Sequence, residues 1–298
     1  MRLMRKYILL FASLILIMTL ASCSNTNPKQ KKTTKKDEMK VGEMMQENKE
    51  HVWFIGRDDE PLDKNTKIER YIITKNGKMK VYVAERIPAQ KLGNLLKKDE
   101  KSLIKDIKKQ DKSFFKFDVA DIVAKTNADI ENAKDLKKEG YDKYNPSEDS
   151  HGGTDYAVLE KENENQSPEE SLKKLEKYKK DVDGMPYKAP KSKNVDLRSI
   201  GSGELEISIA RNYGYPKIIG TGSDVDNSKS LSFTSTENPK SIAGKKVAGL
   251  SNYDEDSEAS AYPYLVTVVD DKVKKVLLDK PSDPAIKDNQ KFKHKKGS

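Results

Sequence analysis

The chain has 298 residues, a formal charge of +9 and a single cysteine, with hydrophobic and charged residues at 35% each. One cysteine excludes an internal disulfide framework and a cysteine-built zinc site. The low apolar share argues against one large core and for two small domains with polar connections.

Residues 1–22 divide into a basic start (Arg2, Arg5, Lys6), an apolar run over 7–20, and the small residues Ala21 and Ser22. This is the layout of a secretory signal, and the run is shorter than the roughly 20 residues a spanning helix needs. Leu20-Ala21-Ser22-Cys23 looks like a bacterial lipobox. Cys23 is therefore expected to become the lipid-modified first residue of an exported chain, held by acyl chains of the palmitate class on the outer face of the cell membrane. No thiol then remains for catalysis.

Residues 23–50, with their lysine-rich run over 29–36, lack any helix or strand period and read as a flexible basic tether. Order is expected from His51-Val52-Trp53-Phe54-Ile55-Gly56, a strand carrying the sole tryptophan. Residues 67–75 and 78–83 flank Asn76-Gly77, which suits a type I′ hairpin turn. Leu92, Leu95, Leu96, Leu103, Ile104 and Ile107 fall near helical spacing, and a second helix is expected over about 119–138. Ser167-Pro168-Glu169-Glu170 predicts a third, with a capping box and proline in the first turn.

These elements make residues 51–182 an α+β domain. Gly184, Pro186 and Pro190 mark 183–193 as a linker. Alternation of period two over 205–209, 231–233 and 245–250 predicts a small antiparallel β domain over 194–280, with 264–269 turning at Asp270-Asp271 into 273–278. Residues 281–298 read as a disordered basic tail.

Trp53-Phe54, the Ile72-Ile73-Thr74-Lys75-Asn76-Gly77-Lys78 stretch and Tyr82, followed by a Leu-rich, Lys-rich helix, resemble surface lipoproteins of low-GC Gram-positive bacteria (Firmicutes). The resemblance covers roughly residues 1–117. It implies a lipid-anchored surface protein and supplies no catalytic residues.

Candidate chemistry is sparse. His51, His151 and His294 are the only histidines, too few and too scattered for a zinc site without carboxylate help. His151-Gly152-Gly153-Thr154-Asp155 is the most enzyme-like string, but it has no nearby nucleophile and reads as a solvated loop. Gly201-Ser202-Gly203 and Gly220-Thr221-Gly222-Ser223 lack the order of a phosphate loop. Asp224 and Asp226 resemble the opening of a calcium loop, and Asp254 and Asp256 form a second acidic cluster. Lys229 and Ser235 stand where an EF-hand requires glycine and glutamate, so both remain weak calcium candidates. Tyr213, Tyr215, Tyr253, Tyr262 and Tyr264 are read as core or edge packing in preference to a ligand groove.

The expectation is a non-enzymatic binding or interaction protein of the cell envelope, without cofactor. Its partners are the membrane through Cys23, anionic lipid or a cell-wall polymer as counter-charge, and an unidentified protein or glycan. Nucleic acid is not expected, because Arg57, Arg70, Arg86, Arg198 and Arg211 are scattered. The alternatives are a solute-binding lipoprotein of a transport system, which calls for two lobes around a cleft, and an extracellular hydrolase, which calls for a convergent nucleophile or carboxylate pair.

Overall fold

A computed structural model describes residues 37–138, 168–200, 203–216, 230–252 and 262–287. Of two compact units, Met1–Lys35 and Lys36–Ser298, the described residues all belong to the second. In chain order the elements are β1 (Glu38–Lys40), α1 (Val41–Met45), β2 (His51–Asp58), β3 (Lys67–Lys75), β4 (Lys78–Val83), β5 (Gln90–Lys91), α2 (Leu92–Leu96), α3 (Glu100–Lys138) and α4 (Pro168–Asp183). There follow β6 (Lys193–Asn194), β7 (Leu197–Ile200), β8 (Glu204–Ser208), β9 (Ser230–Phe233), β10 (Ser235–Ile242), β11 (Lys245–Ser251), β12 (Tyr262–Val268) and β13 (Lys275–Leu277). Helices with mostly antiparallel sheets make the fold α+β, as the mixed periodicities imply.

Eight strands form the main sheet in the order β10-β11-β12-β2-β3-β4-β6, with β5 pairing β3 off that path. The hairpin turn is built as its sequence requires: Asn76 and Gly77 have φ of 52° and 66°, and Lys75 pairs with Lys78. The central strands are buried on both faces, so β2 is continuously apolar or small from Val52 to Gly56. Trp53, Ile55, Ile72, Val81, Leu250 and Leu265 point to one face, against Met39, Val41 and Met45 and the small sheet β7-β8-β9. Phe54, Tyr71, Ile73, Tyr264 and Val266 point to the other, beneath Leu92, Leu95, Leu96, Leu103 and Ile107 of α2 and α3.

Several expectations are corrected by this pairing. The boundary at 183–193 does not separate domains, because β12 from the C-terminal half pairs with β2 from the N-terminal half, Thr267 opposite Trp53 and Tyr264 opposite Gly56. Burying both faces of one sheet lets a chain poor in apolar residues share a single set of strands between two cores. The tether expected over 23–50 does not run to residue 50, since β1 and α1 occupy 38–45 and Met39, Val41 and Met45 are core residues. β12 does not turn back on 273–278, since its two edges are taken by β11 and β2. β13 instead pairs in parallel with β1. The expected tail begins too early at 281, because Ile286 is buried and the Lys287 N–H donates to the Leu197 carbonyl at 3.0 Å.

The helix expected over 92–107 is interrupted at 97–99, between α2 and α3, and its part from Glu100 runs on into the one expected over 119–138. With neither glycine nor proline between 108 and 118, nothing interrupts the backbone, and α3 runs 39 residues, about 58 Å. Its first half packs on the sheet. Farther on, Ile130 and Ala133 pack against Leu175 of α4.

Candidate functional site

The folded body carries three notable polar features: a buried hub on α3, a clasp between residues 38–42 and 275–283, and the outer face of α3. The hub centres on Asp111, which is fully buried. Its Oδ1 accepts from the Val83 N–H at 2.9 Å and the Tyr213 hydroxyl at 2.8 Å. Its Oδ2 accepts from the Tyr187 hydroxyl at 2.8 Å and Arg211 Nη2 at 3.0 Å. Arg211 also donates to the Lys188 and Asn212 carbonyls, and its guanidinium lies 4.0 Å from the centre of the Tyr213 ring. Burial, with the Asp111 charge beside them, pushes the Tyr187 and Tyr213 hydroxyls well above the usual tyrosine range. The cluster is closed by Phe114, Phe115 and Tyr215. Both oxygens of the carboxylate are used within the protein, which makes the hub a staple: it ties α3 to β4 and docks the stretches around Tyr187 and around Arg211 to Tyr213 onto the helix.

The clasp joins the two ends of the described body. β1 pairs with β13, Lys40 Nζ bridges to Asp283 Oδ2 at 2.8 Å, and the Gly42 N–H donates to Asp279 Oδ2 at 3.0 Å. Asp279 is 2% exposed, and its Oδ1 has no hydrogen-bond partner among the described residues. Burial, reinforced by Asp283 and Glu43 and opposed by the Gly42 N–H and Lys40, pushes this carboxyl up to about 6. The folded state therefore holds a proton that the unfolded chain has released between pH 4 and 6. Stability falls as pH rises through that window, by about 3 kcal/mol in total. Asp279→Asn should raise the melting temperature at pH 7.5 and flatten the decline between pH 4 and 6, read by thermal denaturation across that range. A variant that kept the wild-type slope would refute the assignment.

The outer face of α3 carries Lys101, Lys105, Lys108, Lys109, Lys112 and Lys116, all exposed. At 100° per residue the six fall within about 100° of arc, along about 22 Å of helix. None has a hydrogen-bond or ion-pair partner among the described residues. Asp106, on the same stretch, is instead paired with Lys98. The buried face of these turns, formed by Leu103, Ile107, Gln110, Asp111, Phe114 and Phe115, holds the helix against the protein, so the lysines project from a fixed axis. Beside them lies an open depression of about 560 Å³ whose lining includes Glu50, Glu100, Ile104 and Lys105.

The residues singled out from the sequence are not brought together. His51 is buried, with Nε2 2.9 Å from Glu47 Oε2. Tyr213 and Tyr264 fill cores, and Tyr262 is buried on β12, in keeping with the packing reading. Gly203 sits before β8 with φ of 115°. Cys23 with Leu20, Ala21 and Ser22, the acidic residues Asp224, Asp226, Asp254 and Asp256, and His151, Asp155 and His294 lie outside the described residues. Among the described residues no group of three His, Cys, Asp or Glu could hold a metal ion. No described helix is long and apolar enough to cross a membrane. No family model, no curated protein and no solved structure matches the chain.

Proposed function

We propose that the chain is a lipid-anchored surface protein of a Gram-positive cell envelope that works by binding, with Cys23 as its acylated residue. The observation that carries the reading is the signal layout ending in Leu20-Ala21-Ser22-Cys23. The folded body supports it in two ways. The described residues begin at Asp37, fourteen residues beyond Cys23, a separation that cannot exceed about 49 Å and keeps the body close to its anchor. The buried polar cluster on Asp111 is spent internally, while the lysine face of α3 leaves six exposed cations unpaired among the described residues along one line, an arrangement that suits docking over bond-breaking.

A solute receptor built of two lobes fits less well with one sheet drawn from both halves of the sequence. Expression of the full chain and of Cys23→Ala in a Gram-positive host tests the reading by fractionation. Each buried methylene contributes about 0.8 kcal/mol to retention, so the wild type is expected in the membrane fraction and the variant in the medium. Equal membrane retention of both would overturn it.

A further inference from the structure

We infer that the outer face of α3, from Lys105 to Lys116, docks a linear phosphate-bearing polyanion of the envelope. The inference deepens the binding role proposed above and rests on it for where such a polymer is met. Four observations carry it.

The first is charge without a counter-charge: Lys105, Lys108, Lys109, Lys112 and Lys116 have no anionic partner among the described residues, although acids are abundant elsewhere in the chain. Unpaired like charges on successive turns repel one another, and a bound anion relieves that repulsion. The second is shape. Steps of three and four residues place an ammonium group every 5 Å or so along one line, a spacing that matches a chain of repeating phosphates better than an isolated small anion. The third is rigidity, since Ile107, Asp111, Phe114 and Phe115 lock the same turns into the protein. Little backbone ordering is then needed on binding. The fourth is direction: Glu50 and Glu100 line one depression with Lys101, Lys105 and Lys108, which sets negative charge beside the N-terminal part of the face and directs an anion toward Lys112 and Lys116.

A bilayer fits this surface less well. A helix that lies in a membrane interface needs a continuous apolar face to enter the headgroup region, and on these turns Leu103, Ile107, Phe114 and Phe115 are buried against the sheet and the hub, leaving Phe117 as the one large apolar side chain of the described turns that is exposed. The chain also enters the body through β1 and α1, whose side chains pack on the opposite face of the main sheet from α3.

The test uses the full exported chain, residues 23–298, with Cys23→Ser to prevent acylation. Its binding to long-chain inorganic polyphosphate is measured by light scattering or calorimetry at about 20 mM and about 200 mM salt, spanning a twofold or greater change in screening length. Vesicles of phosphatidylcholine with phosphatidylglycerol form the parallel arm. The expected result is binding to polyphosphate that weakens steeply with salt. Lys105→Gln/Lys108→Gln/Lys112→Gln should lower affinity by about tenfold or more at low salt and flatten the salt dependence. The charge-matched control Lys67→Gln/Lys75→Gln/Lys80→Gln, on exposed strand positions, should change it by less than about twofold.

Equal losses in both triple variants would overturn the site in favour of net charge alone. Absence of polyphosphate binding, or binding of vesicles in its place, would overturn the ligand. Acylation of Cys23 is measured separately, so failure here leaves the anchor standing, and an unmodified Cys23 leaves a positive binding result standing.

Discussion

Asp111→Ala is expected to cost about 3–5 kcal/mol of stability, because it strands a buried guanidinium and three further donors at once. The carboxylate is fully buried and Arg211 is 4% exposed, so water cannot replace the lost acceptor without opening the packing of Phe114, Phe115 and Tyr213. In a chain of this size the loss should lower the melting temperature by roughly 10 °C. Arg211→Ala should cost a comparable amount, since it leaves the charge of Asp111 buried with hydroxyls and one amide for company. The double variant should lose clearly less than the sum of the two, the sign of direct coupling. Urea unfolding of the four proteins measures the cycle. Additive losses would contradict the staple, and so would an Asp111→Ala variant within about 0.5 kcal/mol of wild type, as an ordinary surface change gives.

Trp53→Ala should cost a similar 3–5 kcal/mol by cavity formation in the centre of the main sheet. Trp53 is fully buried on β2, donates through Nε1 to the Thr74 hydroxyl at 2.9 Å, and packs in a core that also holds Met39, Leu205 and Phe233. That core draws on residues from Met39 to Ile286, so damage at position 53 should be felt by every strand. The expected result is one cooperative unfolding transition shifted as a whole, with secondary-structure and aromatic signals moving together. Two separated transitions, one unshifted, would restore the division at 183–193. Trp53→Phe should cost less, because it removes less volume and keeps an aromatic ring against the same neighbours.

These two sites also show where the sequence could be read and where it could not. Local signals are sufficient for local structure: Asn76-Gly77 specifies its turn because few residue pairs accept two positive φ angles, and Pro168-Glu169-Glu170 lies in the first described turn of α4. Pairing over long separations was not legible. β2 and β12 look alike to any test of alternation, and nothing in either strand states that the other is its neighbour some two hundred residues away. A linker composition at 183–193 therefore suggested a boundary where the chain in fact crosses the α3 face, with Tyr187 bonded to Asp111.

Asp111 and Arg211 were hidden for the same reason: a lone aspartate among lysines and an arginine a hundred residues later reveal a pair only when the fold joins them. The lysine face was within reach. Lysines at 101, 105, 108, 112 and 116 follow helical steps as faithfully as the leucines and isoleucines on the other side, but a polar stripe of this kind is also what an ordinary solvated helix face shows. Asp279 gave no sequence signal at all, since its burial depends on β1 and α1 folding back from a stretch that reads as tether.

Anchorage through Cys23 is the claim on which the rest of the functional account depends, and intact-mass analysis of the protein purified from host membranes tests it most directly. The account predicts a mature chain whose first residue is Cys23, carrying the mass of a diacylglycerol group on its sulfur, with residues 1–22 absent. A mature chain that begins elsewhere, or one that begins at Cys23 with an unmodified thiol, would contradict it.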